Sequence, residues 1–165
     1  MIITQTQAEF ELAHRFGTNA SLAEVRLASC RAWSQREWSG DSVKSEVKFK
    51  PSGPTITAKT VFLPVQFSAR MIDNTAESSP EDVFGVECEL EARYVLRPGY
   101  APTPEEVVAF QEANAVYHCW PFFREFVQGT SVRTGYPPVP IPLLRLSIEK
   151  PSSAKPIKRT KALKA

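Results

Sequence analysis

The chain is poor in the residues that carry most enzyme chemistry. It has only three cysteines and two histidines in 165 residues. Cys30, Cys88 and Cys119 are odd in number and form no C-x-x-C pair. That spacing points away from a disulfide framework or a zinc knuckle, and toward a reducing, cytoplasmic setting. No G-x-S-x-G, G-x-G-x-x-G or Walker sequence occurs, so neither a serine triad nor a nucleotide cradle is indicated. No apolar run is long enough to span a bilayer, and MIITQTQAEF lacks the basic and apolar regions of a signal peptide. The one suggestive juxtaposition is His118-Cys119. Adjacent helix residues point about 100° apart. The expectation is therefore that Cys119 packs as a small hydrophobe and that His118 lies near a surface or an interface. No catalytic residue, metal ligand or cofactor is expected.

Charge is present but divided. The formal net charge is +2, yet residues 150–165 hold six of the 20 basic residues and no acid. The remaining chain has 14 basic against 18 acidic residues, a net of −4. The tail is too polar and too rich in Ser, Pro and Lys to bury a core, so it is expected to be disordered. A basic tail can hold nucleic acid through phosphates, or act as a scaffold. This one has no aromatic residue for stacking, so nucleic acid is the weaker alternative.

What the chain does have is period-two alternation. Val61, Leu63, Val65, Phe67, Ala69 and Met71 share one parity, with Pro64 on the other as a hint of an edge or a bulge. Val86, Cys88, Leu90, Ala92 and Tyr94 point one way, and Glu87, Glu89, Glu91 and Arg93 the other. Weaker runs cover Val25 to Trp38 and Val43 to Phe49. Four consecutive strands with short polar connections imply an antiparallel sheet. The three glutamates form either a solvated face or an acidic docking patch for a basic partner.

The strands stop at Arg97-Pro98-Gly99. Thr103-Pro104-Glu105-Glu106 then opens a helix: a capping Thr, Pro at the first position and Glu completing a capping box. Apolar residues recur at helical spacing through Phe126 and Val127, and Pro121 is expected to kink or break the helix. Gly135 suits its end, and Tyr136 to Leu144, with four prolines, reads as a stiff extended segment. The class is α+β: a four-stranded antiparallel sheet packed on a long kinked helix. Tyr117, Trp120, Phe122, Phe123 and Phe126 are too many rings for one helix stripe against one sheet. They imply a second buried surface, a subunit interface or an apolar groove.

The run NAVYHCWPFFREFVQGTSVRTGYPPVPIPLL, residues 114–144, resembles the C-terminal half of the SecB family of export chaperones. Trp120-Pro121-Phe122, Arg124-Glu125, Gly135 and Pro137-Pro138 carry the match, and the strands from Val25 agree by pattern only. The resemblance implies a cytoplasmic, ATP-independent holdase, built as a homotetrameric dimer of dimers. Its partners would be unfolded polypeptides, as preprotein or antitoxin, together with the SecA motor in the export branch. It further implies a domain over 25–149, after an extension over 1–24 that can form short helices and before the basic tail. Val43, Val47, Phe49, Val139, Ile141, Leu143 and Leu144 become expected groove residues. The five aromatic residues become the expected oligomer interface, and Glu87, Glu89 and Glu91 the expected partner-docking face. Three departures look like the divergent SecB-like branch, some of whose members protect an antitoxin. Arg145 to Glu149 is too short for the family's second helix, the first 24 residues precede its usual start, and the tail is basic rather than acidic.

Overall fold

The computed structural model describes residues 1–35, 43–73 and 81–149. In chain order the elements begin with β1 (Ile2–Gln5), α1 (Gln7–Asn19), β2 (Ala20–Ser34), β3 (Val43–Pro51) and β4 (Thr55–Ile56). They continue with β5 (Thr60–Asp73), β6 (Glu81–Leu96), α2 (Pro104–Phe110), a π-helical turn (Gln111–Ala115), α3 (Val116–Arg133) and β7 (Arg145–Ile148). The fold is α+β. The main antiparallel sheet runs β2-β6-β5-β3, with the two-residue β4 as a fifth strand pairing β5. Consecutive strands β2 and β3 thus occupy opposite edges, so the four long strands form a Greek key rather than a meander. β2 starts at Ala20, five residues before the sequence pattern begins, and Trp38 lies outside the described residues. Among those residues no helix is long and apolar enough to cross a membrane.

The period-two pattern sets the faces. The inner residues of β5 and β6, Val61 to Met71 and Val86 to Tyr94, are buried beneath the helix. Pro64 lies in an interior strand, not at an edge or a bulge. Its missing N–H faces the break between β3 and β4, where no ladder partner is needed. Its carbonyl still accepts from the Ser52 N–H at 3.0 Å. The strands end in a turn with Pro98 and then Gly99 at φ +83°, closed by Tyr100 N–H to Arg97 O at 3.1 Å. That is the type II geometry that calls for glycine.

Both N-terminal helix starts use the same chemistry. Thr103 and Glu106 exchange capping-box bonds, and so do Thr6 and Glu9. α1 is not a surface appendage: Ala13 and Phe16 are buried, and the Phe16 ring packs 4.5 Å from Phe110 and 5.8 Å from Tyr94. The long helix does not break at Pro121, because α3 runs through it. Pro121 and Tyr117, whose carbonyl loses its i+4 donor, are both on the exposed side, where water can replace that bond. The irregularity comes earlier, at the π turn. There the Gln111 amide donates to Ser52 O at 2.7 Å and Pro64 O at 2.8 Å, tying the wide turn to the strand break. α3 ends in a Schellman motif: Gly135 at φ +84°, Tyr136 N–H to Ser131 O at 2.9 Å and Gly135 N–H to Val132 O at 3.1 Å.

The proline-rich segment after Gly135 straps the core. Tyr136, Val139, Ile141 and Leu144 are buried. Trp120 Nε1 donates to Pro142 O at 3.0 Å, and Tyr136 Oη to Gln35 O at 2.7 Å. The strap delivers β7 parallel to β1, a small second sheet that the sequence pattern did not announce.

Candidate functional site

The expected groove and interface residues are sorted by the fold into different environments. Phe49 and Val47 of β3 are half-buried against the core. Val43 also lies in β3, opposite Asp73. Phe49 joins Phe67, Trp120 and Phe123 in one aromatic cluster, with ring centroids 4.8–6.4 Å apart. Such pairs add about 0.5–1.5 kcal/mol each beyond burial. Val139, Ile141 and Leu144 face into this chain, whereas Leu143 is 63% exposed. Of the five helix aromatics, Trp120 and Phe123 are core residues, Phe126 is half-buried, and Tyr117 and Phe122 are 46% and 49% exposed. Only the last two, with Val132, leave large apolar surface on the outer side of α3. The inner face of β2 adds exposed Leu22 and Leu27, because this edge strand reaches beyond the cover of the helix.

The glutamate face is not an open acidic patch. Arg26 Nη2 meets Glu91 at 2.7 Å and Arg70 Nη2 meets Glu87 at 3.0 Å. Glu89 accepts from Gln66 at 3.4 Å and Ser52 at 3.5 Å, and Arg93 pairs with Glu24 at 3.0 Å. Apart from Ser52, which follows β3, these partners come from β2 and β5, which flank β6, so strand order decides that the acids are matched. The same face holds a shallow concavity of about 690 Å³ where Lys48 and Lys50 stand opposite Glu87 and Glu89. Nearby, Trp33 lies flat across Gly85, its register partner, where a Cβ would overlap the ring. The guanidinium groups of Arg31 and Arg70 sit 5.4 and 5.7 Å from the indole.

The cysteines converge although they are distant in sequence. Exposed Cys30 is directly opposite Cys88 in the β2–β6 ladder, and buried Cys119 approaches Cys88 from α3. Burial pushes the Cys88 and Cys119 thiols up to about 12, so neither is a ready thiolate. His118 is half-buried with Nδ1 2.7 Å from the Tyr94 hydroxyl, and burial holds its pKa below the ordinary 6.5. Burial also raises the Tyr94 pKa, so the phenol stays neutral beside the imidazole. Among the described residues no group of three or more His, Cys, Asp or Glu side chains is placed to hold a metal ion.

A second cavity, of about 600 Å³, lies between α1 and β7 and was not anticipated. Phe10, His14 and Gly17 of α1, Phe110, and Leu146 and Ile148 of β7 line it. The available signals were the Thr6-x-x-Glu9 box, which places α1, and the alternation in Arg145-Leu146-Ser147-Ile148, which fits a strand.

No protein-family model and no curated protein sequence matches the chain. Among solved structures, it is similar to the Mycobacterium tuberculosis SecB-like chaperone Rv1957, solved in complex with a ChAD peptide from the HigA1 antitoxin Rv1956. The TM-score is 0.71 at 19% identity, over 83% of this chain and 99% of that one. A protein of unknown function from Streptococcus agalactiae reaches a TM-score of 0.39 at 12% identity, over 75% of this chain and 97% of that one, too low to bear on the fold. The Greek-key sheet, the long helix across it and the extended strap therefore make up a SecB-like fold.

Proposed function

We propose that this protein is an ATP-independent chaperone that holds unfolded polypeptide on apolar surfaces and protects an antitoxin. The carrying observation is its likeness to a SecB-like chaperone along 99% of that chain, in a structure that contains an antitoxin peptide. The apolar residues left open on β2, α3 and β7 suit a protein that must accept many sequences. Such a surface needs adaptable apolar walls rather than a fixed polar pattern. Preprotein export is the less supported role. An acidic face for a basic motor partner needs unpaired carboxylates, and Glu87 and Glu91 already have arginine partners. The proposed setting is the cytoplasm. The proposed assembly is a homo-oligomer that covers Tyr117 and Phe122.

Light scattering tests this. A chemically unfolded protein is diluted into buffer with increasing amounts of the chain, without nucleotide. Suppression of aggregation at near-stoichiometric ratios is expected, and it should persist when residues 150–165 are deleted. Undiminished aggregation at tenfold excess would sink the chaperone reading. If only the tail-bearing chain acts, and its action is lost at high salt, the alternative of an electrostatic tail is favoured.

A further inference from the structure

We propose that the cavity between α1 and β7 is a peptide-binding groove in which an extended apolar segment of an unfolded client adds a third strand to the β1–β7 sheet. The inference deepens the chaperone reading and rests on it. Its α1, β1 and β7 walls lie outside the stretch, Val25 to Leu144, that the family resemblance covers, and only Phe110 and Asn114 lie within it.

The argument starts from the ladder. β1 and β7 are parallel, with Ile2 opposite Arg145, Ile3 opposite Leu146 and Gln5 opposite Ile148. Arg145 N–H donates to Met1 O at 3.1 Å and Glu149 N–H to Gln5 O at 2.8 Å. In a parallel ladder, bonding residues on one strand alternate with residues whose N–H and C=O face the other side. Arg145, Ser147 and Glu149 therefore bond to β1, while Leu146 and Ile148 turn both backbone groups outward. Among the described residues these outward groups have no partner. A strand edge of this kind is a template for another chain.

The side chains agree with the backbone. Leu146 and Ile148, each 39% exposed, share a face with their register partners Ile3 and Gln5, and that face lines the groove. An added strand would put every second side chain on this face. The opposite wall is apolar, formed by the stacked Phe10–His14 pair and Phe110. Gly17 keeps the wall open there, since a Cβ on it would meet the Phe110 ring at 3.2 Å. The cavity is within the roughly 300–1,000 Å³ range of ligand clefts. No Asp, Glu, Lys or Arg lines it. The occupant is therefore one with a regular backbone ladder and apolar side chains at alternate positions. The chain's own tail fits poorly, because its six cations find no acid there.

Leu146→Pro gives a selective test. It removes one outward donor and leaves the bonds to β1 intact, and proline is tolerated on a strand edge whose N–H faces away from the sheet. Affinity of the full chain for a fluorescently labelled unfolded polypeptide is read by anisotropy, with circular dichroism and melting temperature as controls. The expected loss is roughly three- to ten-fold, the size of one net hydrogen bond, with the fold unchanged. As a check independent of that variant, a photoreactive benzoylphenylalanine replacing Phe10 should crosslink the client. Wild-type affinity for Leu146→Pro together with no client crosslink at position 10 overturns the groove while leaving the chaperone reading in place. A crosslink to residues 150–165 or to a second copy overturns it in favour of that occupant. Failure of the unaltered chain to bind any unfolded polypeptide overturns the chaperone reading itself.

Discussion

His118 and Tyr94 illustrate how burial shifts a protonation equilibrium. The imidazole Nδ1 shares a hydrogen bond with the Tyr94 hydroxyl at 2.7 Å in a half-buried position beside Phe110, and burial depresses its pKa below 6.5. In the unfolded chain the imidazole returns to its ordinary value, so just below pH 6.5 the unfolded state binds more protons than the folded one. Stability then rises with pH in that window. The contribution is whole above about pH 6.5 and is lost as pH falls through the depressed folded-state value. Thermal melts from pH 5 to 7.5 should show this slope in the unaltered chain and a flatter one in His118→Gln. Equal slopes would mean that His118 does not carry it. The neighbouring Cys119 plays no part in this window, because its thiol stays protonated.

At the scale of elements, α1 joins the core rather than preceding it. Phe16 is fully buried between Tyr94 and Phe110, so α1 helps to hold α2 against the sheet. Truncating such a ring to alanine costs about 3–5 kcal/mol. Phe16→Ala should lose about that much in denaturant unfolding, whereas Phe122→Ala on the outer side of α3 should lose much less. Similar small losses at both positions would show α1 to be a detachable extension. The strap is a second element that joins the core. Its alternate apolar residues Val139, Ile141 and Leu144 fill the core of their own chain, with Leu143 left to face outward.

For the whole molecule, the question is what covers the apolar residues that the single chain leaves open. Tyr117 and Phe122 on α3 are nearly half exposed, and so are Leu22 and Leu27 on the edge strand β2. Exposed apolar patches with an unpaired strand edge favour association. If the helix face joins subunits, Tyr117→Asp with Phe122→Asp should shift the solution mass toward a smaller species without lowering helix content. A monomer for the unaltered chain, or an unchanged mass for the double variant, would count against that face. The outer face of the sheet is a weaker candidate, because its cross-strand pairs already match most of its acids.

Local order was legible in the sequence because it is written at short spacings. The alternation in β5 and β6, the Thr103-x-x-Glu106 box, the Pro98-Gly99 turn and the stop at Gly135 each depend on residues a few positions apart, and each is in the structure. Thr6-x-x-Glu9 carries the same signal for α1, in a stretch read only as able to form short helices. The fate of the helix aromatics was not legible. Trp120 and Phe123 go inside and Tyr117 and Phe122 outside because the sheet covers only one side of α3. Nor was the charge of the sheet's outer face, since Arg26 and Arg70 reach Glu91 and Glu87 only once β2 and β5 flank β6. Pro64 read as an edge signal until the break between β3 and β4 explained it. The sequence by itself determined the long strands of the sheet, the buried faces of β5 and β6, and the start and end of the long helix. The tertiary structure alone decided strand order, the meeting of β1 with β7 and the groove beside α1, because these depend on which distant segments compete for the same edge.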